Sequence, residues 1–216
     1  MSTRTAARRR PDGSHTTPVA KVKAERARAA AARASRRRRQ GILLYGVVFA
    51  AVAVLVGAMM WSARATSDAT SRPAPDFTLT DTAGATVHLA DYRGRTVVLY
   101  FNEGAGCQSC LLQMVDIERN ASRFADANVT VLPIVMNTAA QIRADMAANG
   151  VRTPFLLDDG TVSAAYGTLG KGMHAGLPGH SFVLIDAQGV QRWYGEYPSM
   201  YLSSADLLEQ IRTHLR

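Results

Sequence analysis

The sequence predicts an α/β domain, built on a mostly parallel sheet with helices on both faces, behind a single transmembrane helix. The domain prediction rests on two continuous apolar runs, 96–102 and 129–135, each followed by a helix-like segment. Buried strands that alternate with helices form mostly parallel sheets covered on both faces. The membrane prediction rests on residues 41–62, which contain no charged residue, and on the basic segment before them.

Hydrophobic periodicity and turn residues place the elements of the domain, residues 75–216. The predicted elements are a hairpin of 76–80 and 86–89 around Ala83-Gly84, a buried strand at 96–102, a helix at 109–127, a buried strand at 129–135, a helix at 138–149 that stops at Gly150, a short strand at 154–157, a helical turn at 162–166, strands at 181–185 and 190–194 joined by Asp186-Ala-Gln-Gly189, and a helix at 203–215 capped by Ser203 or Ser204. The late hairpin adds antiparallel strands at one side of the sheet. No internal repeat is visible, and the length suits one domain.

The net charge of +8 belongs to the N-terminal segment. Residues 1–40 hold 13 Lys and Arg against 2 Asp and Glu, whereas residues 41–216 hold 12 against 15. Because residues 1–40 have almost no large apolar side chains, they are expected to form a disordered tail with fluctuating helix in 19–39. No folded nucleic-acid-binding element accompanies this charge, so nucleic acid is not an expected partner.

The 22 residues of 41–62 would form a helix of roughly 33 Å, enough to cross a hydrocarbon core of about 30 Å. Arg36 to Arg39 directly precede the span, and positive charge stays on the cytoplasmic side. The expected organisation is a single-pass cell-membrane protein with a cytoplasmic tail at 1–40, a transmembrane helix at 41–62, a linker at 63–74 and an extracytoplasmic domain at 75–216. A cleaved signal peptide ending at Ala63-Arg-Ala65 is the alternative, although the apolar stretch exceeds the usual length of about 7–15 residues. In either case the domain lies where disulfides persist.

Cys107 and Cys110 lie between the strand at 96–102 and the helix at 109–127. A helix N-terminus carries free N–H groups and a partial positive charge, which stabilise a thiolate. The spacing therefore predicts thiol–disulfide exchange, with Cys107 as the nucleophile and Cys110 as the resolving partner. An inert structural disulfide is the alternative, but closing so short a loop removes little chain entropy. A structural zinc site would need four ligands, and no cofactor or metal is predicted.

Three segments carry a resemblance to a known family. They are Ala74-Pro-Asp-Phe-Thr-Leu79, Leu89-Ala-Asp-Tyr-Arg-Gly-Arg95 and residues 180–189, HSFVLIDAQG. Together with the cysteine pair, they resemble the redoxin and AhpC/TSA branch of the thioredoxin superfamily, which includes peroxiredoxins and membrane-anchored TlpA-like oxidoreductases. The resemblance covers residues 74–216. It implies a thioredoxin-like fold, with a central mixed β-sheet flanked by helices, and redox chemistry at the cysteines.

The site residues depart from both groups of that branch. TlpA-like proteins usually have tryptophan before the first cysteine, and Gly106 stands there. Peroxiredoxins carry Pro-x-x-x-Thr/Ser-x-x-Cys, whose first two named positions fall on Tyr100 and Gly104. The position held by cis-proline in thioredoxin-like members, or by arginine in peroxiredoxins, aligns with His180, two residues after Pro178. The resemblance thus implies a site intermediate between the two groups, with His180 as a third catalytic candidate.

Several roles are open for the residues around the cysteines. If the imidazolium of His180 lies near Cys107, it should depress the thiolate pKa of that cysteine; a short slip of the alignment would put Pro178 there instead. Glu103 is expected to be a solvated carboxylate, with a proton-accepting role as the alternative. The N–H groups of 104–106 belong either to a flexible turn or to a binding site for a sulfur or peroxide oxygen.

The leading functional prediction is a membrane-anchored, extracytoplasmic thiol–disulfide oxidoreductase that works through Cys107 and Cys110. One alternative is a peroxiredoxin-like thiol peroxidase that uses Cys107. The other is a copper-binding chaperone resembling the Sco family, with Met173 and His174 as further soft ligands. The expected partners are a thiol, disulfide or hydroperoxide substrate, an external reductant or thiol relay, and membrane lipid along 41–62.

Overall fold

A mixed sheet lies at the centre of the computed structural model, which describes residues 18–62, 64–170 and 175–216. Its strands within these residues are β1 Thr66–Pro73, β2 Thr78–Asp81, β3 Thr86–His88, β4 Thr96–Phe101, β5 Val129–Val135, β6 Leu156–Leu157, β7 Ser181–Ile185 and β8 Val190–Glu196. Their order across the sheet is β1-β8-β7-β4-β5-β6-β2-β3. Only the pairs β4–β5 and β5–β6 are parallel. The expectation of a mostly parallel sheet is therefore wrong, and the mixed sheet implied by the family resemblance is confirmed.

The helices follow the predicted order, with one difference. They are α1 Pro18–Ser62, α2 Gln108–Arg119, α3 Ala121–Asp126, α4 Ala139–Asn149, α5 Thr161–Tyr166 and α6 Ser204–His214. The single helix expected over 109–127 is divided at Asn120, whose side-chain amide donates to the carbonyl of Asp116 at 2.9 Å. An asparagine side chain that bonds its own backbone competes with the helical ladder, which explains the break.

Strand β4 is buried on both faces and joins two apolar clusters. Val98 and Tyr100 face the cluster that includes α2 and α6, whereas Leu99 and Phe101 face the opposite cluster, with α5. The carboxyl end of β4 is therefore packed between the two apolar clusters, and the loop that carries the cysteines follows it directly. This burial on both faces is what the continuous apolar run predicts.

Helix α1 is 45 residues long and forms the described part of the N-terminal unit, which ends at Met59. By length and composition, the stretch of α1 from Lys21 to Trp61 could cross a membrane. A disordered tail with fluctuating helix in 19–39 is expected at 1–40, and among its described residues the helix begins at Pro18. Alanine, arginine and lysine are strong helix formers, and the apolar segment that follows extends the same helix.

The segment expected to be a linker at 63–74 contains strand β1, which pairs antiparallel with β8. The pairing runs from Thr66 opposite Glu196 to Pro73 opposite Val190. The indole N–H of Trp193 donates to the hydroxyl of Ser67 at 2.6 Å, and the indole is fully buried. Because β1 covers the outer edge of β8, the folded unit begins several residues before the predicted boundary at 75.

Candidate active site

Cys107 and Cys110 form a disulfide between the end of β4 and the start of α2, with a Cα–Cα distance of 5.3 Å. Cys107 is the N-cap of α2, and its sulfur accepts a hydrogen bond from the backbone N–H of Cys110 at 3.2 Å. Cys110 is fully buried, whereas Cys107 is partly exposed. A capping sulfur that already accepts an N–H is well placed to carry negative charge after reduction.

The backbone N–H groups of residues 104–107, in the loop before the cysteine pair, all donate hydrogen bonds within the chain. The four donations are Gly104 N–H to Asn102 Oδ1 at 3.0 Å, Ala105 N–H to Asn137 Oδ1 at 2.9 Å, Gly106 N–H to Asp145 Oδ2 at 2.7 Å, and Cys107 N–H to the Gly104 carbonyl at 3.0 Å. The expected alternative, in which these groups bind a sulfur or peroxide oxygen, is therefore not supported by their contacts. The loop instead holds the first turn of α2 in place.

Gly104 is required by the shape of this loop. Its φ is +72°, and a Cβ atom would collide with Asn137 Oδ1 and lie 2.8 Å from a methyl group of Val135. Any residue with a side chain would have both backbone strain and a collision. A threonine or serine, which peroxiredoxins carry at the aligned position, would therefore strain the backbone and force the side chains of Asn137 and Val135 to shift.

His180 lies immediately before β7 and is 2% exposed. Its Nδ1 is 3.1 Å from the hydroxyl of Tyr100 and 4.0 Å from the sulfur of Cys110. Its Nε2 is buried and has no hydrogen-bond partner among the residues that the structure describes. The structure thus brings together all three sequence-predicted site residues, but His180 faces the buried sulfur of Cys110.

Burial sets the charge state of His180 in the disulfide form of the protein. Burial lowers the pKa of the imidazole to about 4, so the ring is neutral near pH 7. A neutral ring cannot depress the thiolate pKa of Cys107 in the way an imidazolium would. Because neither cysteine carries a charge in the disulfide form, the imidazolium beside a Cys107 thiolate stays a prediction for the reduced protein.

Tyr100 is a site residue that the sequence reasoning missed. It is fully buried on β4, stacks on Phe182 with ring centroids 4.8 Å apart, and meets the His180 ring edge-to-face at 5.0 Å. Burial, with a smaller contribution from the charge of Glu103, raises the phenol pKa well above its ordinary value. The hydroxyl therefore stays protonated and can donate to His180. The available signal was a polar aromatic residue in an otherwise apolar strand that ends at the cysteines.

Pro178, which the alternative alignment places beside the cysteines, pairs with Leu169 in an antiparallel bridge. The neighbouring Gly179 N–H donates to the carbonyl of Thr168 at 2.8 Å, and the carbonyl of Leu177 accepts from Gly170 N–H at 2.7 Å. These backbone groups are occupied within the chain, so a substrate cannot pair with them without displacing the segment 168–170.

Glu103 is half-buried at the end of β4 and acts electrostatically on Tyr100. The candidate copper ligands Met173 and His174 lie outside the described residues. Among the residues that are described, no group of three or more His, Cys, Asp and Glu side chains could hold a metal ion. A copper site therefore stays a prediction that rests on the sequence alone.

Comparison with known proteins places this geometry in a family. The AhpC/TSA family model matches residues 70–194, which include the cysteine pair and His180. A candidate peroxiredoxin of Mycobacterium tuberculosis (strain ATCC 25618 / H37Rv) is 37% identical over 99 residues, which are 45% of this chain and 63% of that protein. The chain thus matches less than two thirds of the length of this curated relative.

Two solved structures share the fold. Peroxidoxin BcpB from Mycobacterium tuberculosis has a TM-score of 0.56 at 20% identity, over 68% of this chain and 96% of that one. A candidate protein disulfide isomerase from Bacteroides thetaiotaomicron has a TM-score of 0.52 at 28% identity, over 67% of this chain and 88% of that one.

The mixed sheet flanked by helices, with a cysteine pair after its central strand β4, therefore defines a peroxiredoxin-like thioredoxin fold. The chain belongs to the AhpC/TSA family, because the family model covers more than half of it. The resemblance drawn from the sequence segments is confirmed.

Proposed function

We propose that the protein is a membrane-anchored, extracytoplasmic thiol–disulfide oxidoreductase that works through Cys107 and Cys110. The observation that carries the proposal is the disulfide between a partly exposed helix-capping sulfur and a buried sulfur one turn later. In this arrangement one cysteine is accessible to a substrate and the other is protected from it. Such a pair favours exchange over permanent cross-linking.

The proposed reaction balances within the cysteine pair and one substrate disulfide. The thiolate of Cys107 attacks a substrate sulfur, forms a mixed disulfide and releases the first substrate thiolate. Cys110, after losing its proton, attacks Cys107, forms the intramolecular disulfide and releases the second thiolate. The substrate gains two electrons and the pair loses two, so an external reductant or a membrane thiol relay must regenerate the dithiol.

A thiol peroxidase is the second candidate, and the peroxiredoxin relative favours it. In that reaction Cys107 would become a sulfenic acid, which Cys110 would resolve. Two features of the site count against it. The N–H groups of residues 104–107 are already bonded within the chain, and Gly104 has no room for the hydroxyl side chain that peroxiredoxins place there. The disulfide-isomerase-like neighbour is consistent with exchange chemistry.

Stopped-flow oxidation of the reduced protein separates the two reactions. We expect a small disulfide to oxidise the pair rapidly, whereas hydrogen peroxide should react no faster than with free cysteine at the same pH. The reason is that no preformed donor set in the 104–107 loop stabilises a developing peroxide oxyanion. The control is the Cys107→Ser variant, which should be inert to both oxidants. Rapid reaction with peroxide and slow reaction with the disulfide would establish the peroxidase instead.

The proposed topology has its own test. With Arg36 to Arg39 on the cytoplasmic side of the span, residues 75–216 should lie outside, so protease added to intact spheroplasts should digest the domain and leave the N-terminal tail. A cytoplasmic marker protein that stays intact is the control for lysis. Protection of the domain until the membrane is permeabilised would contradict the topology.

A further inference from the structure

We propose a proton relay for Cys110, in which His180 Nδ1 takes the thiol proton as Cys110 resolves the mixed disulfide and Tyr100 positions the His180 ring. The inference rests on the proposed exchange reaction and adds the residues that serve its second step. It also moves the role of His180 from the exposed nucleophile to the buried resolving cysteine. Tyr100 acts through His180 and is a positioning residue.

The geometry supplies the first argument. His180 Nδ1 lies 4.0 Å from the sulfur of Cys110, within the range of a hydrogen bond to sulfur. The hydroxyl of Tyr100 lies 3.1 Å from the same nitrogen and 3.4 Å from the carbonyl of Cys110. Tyr100 can therefore donate either to His180 Nδ1 or to the carbonyl of Cys110. When it donates to the carbonyl, the Nδ1 lone pair is available to accept the thiol proton of Cys110.

The surroundings supply the second argument. The titratable groups that face His180 among the described residues are Tyr100 from β4 and Cys110 from α2. The Phe182 ring of β7 packs against His180, and the backbone N–H of Tyr197, after β8, donates to the His180 carbonyl. Glu103 acts on Tyr100 through its charge. In the disulfide form, desolvation lowers the His180 pKa to about 4, so the ring is neutral at pH 7 and its Nδ1 can accept a hydrogen bond.

The unsatisfied nitrogen supplies the third argument. Nε2 of His180 is buried without a hydrogen-bond partner in the described part of the chain. A side chain that only filled this space would be better apolar, because a buried polar atom without a partner is unfavourable. A histidine in this place therefore fits a chemical role for the nitrogen that faces the sulfur.

The step balances in protons and electrons. The S–H bond of Cys110 breaks as its proton passes to Nδ1, the new Cys110–Cys107 bond forms, and the bond between Cys107 and the substrate sulfur breaks. The substrate sulfur leaves as a thiolate with the electron pair. The imidazolium, disfavoured by burial, then returns the proton to the leaving thiolate or to solvent. In the reverse direction the same imidazolium protonates Cys110.

The experiment resolves the two chemical steps in one trace. The reduced full chain, in detergent micelles, is mixed with 5,5′-dithiobis(2-nitrobenzoate). The reagent releases one coloured thiolate when Cys107 attacks it and a second when Cys110 resolves the mixed disulfide. At pH 7 we expect His180→Gln to slow the second phase by about tenfold to a hundredfold, and to leave the first nearly unchanged. Tyr100→Phe should give a smaller slowing of the same phase.

The pH profile separates proton transfer from a structural effect. The wild-type second phase should be flat from about pH 6 to 8, because neutral His180 accepts the proton throughout this range. In His180→Gln the rate should rise about tenfold per pH unit, since only the thiolate formed by solvent can react. Tyr197→Phe is the matched control: its ring packs on Phe182, and both phases should stay at the wild-type values.

Each outcome decides one claim. An absent first phase in the wild type would overturn the proposed exchange function, and the relay with it. A normal first phase with superimposable second phases and pH profiles in wild type and His180→Gln would overturn the relay alone. The amplitude of the first phase and the far-ultraviolet circular dichroism report folding, and His180→Asn replaces His180→Gln if that variant is misfolded.

Discussion

Replacing Cys107 with serine should lower disulfide exchange to the rate of the uncatalysed reaction. The expected loss is at least about a thousandfold, the scale seen when an enzyme loses its nucleophile. Serine keeps the size and the capping hydrogen bond, but its hydroxyl is not ionised near pH 7 and cannot form a mixed disulfide. The rate of reduction of a small disulfide by the full chain measures the effect.

Cys110→Ser should produce a different defect at the same site. Cys107 would still attack, but the mixed disulfide would persist because its resolving thiol is gone. Mass spectrometry should then show a covalent adduct of the substrate thiol on Cys107. The matched control is Ser109→Ala, an exposed neighbour in the same turn, which should turn over normally. Full activity in Cys107→Ser would mean that the nucleophile is assigned wrongly.

The second large effect concerns stability. Two truncated proteins, one beginning at Thr66 and one at Ala74, differ only by strand β1. The shorter one should lose about 3–6 kcal/mol of the free energy of unfolding, on the basis of about 1 kcal/mol for each of several hydrogen bonds to β8. This is a large part of the typical stability of about 5–15 kcal/mol for a domain.

Three side-chain contacts explain why β1 matters. Ser67 accepts from the buried indole of Trp193, Thr70 donates to the carbonyl of Gln191 at 3.3 Å, and Arg72 donates to the Gln191 side chain at 3.0 Å. The Gln191 side chain is 1% exposed and loses the Arg72 donor when β1 is absent. Urea denaturation measures the difference. Midpoints and slopes that are the same for both proteins would show that β1 contributes little.

Strand β1 also shows a limit of prediction from sequence. Its residues, TSDATSRP, have no apolar alternation and are mostly exposed, so no hydrophobic period identifies them as a strand. Its pairing comes from the free edge of β8, a contact that only the tertiary structure supplies. By contrast, β4 and β5 are predicted almost to the residue, because strands buried on both faces must be continuously apolar.

The same division holds in the site. The cysteine pair is predictable because its spacing and its position between strand and helix follow from local sequence. The family alignment also places His180 at the site, and the distance of 4.0 Å between His180 Nδ1 and the sulfur of Cys110 agrees with that placement. Its charge state is not predictable, because burial sets the pKa and burial depends on the whole fold. Tyr100 stands out in the sequence as a polar aromatic residue in an apolar strand, but only the tertiary structure shows that its side chain lies on the face that reaches Cys110.

The reduction potential of the Cys107–Cys110 pair tests the central claim most directly. Equilibration of the full chain with glutathione redox buffers, followed by thiol alkylation and mass measurement, gives this value. A redox-active pair should titrate as a two-electron couple between about −120 and −270 mV, the range of exchange catalysts. A potential below about −300 mV, as in disulfides that only stabilise a fold, would contradict the account.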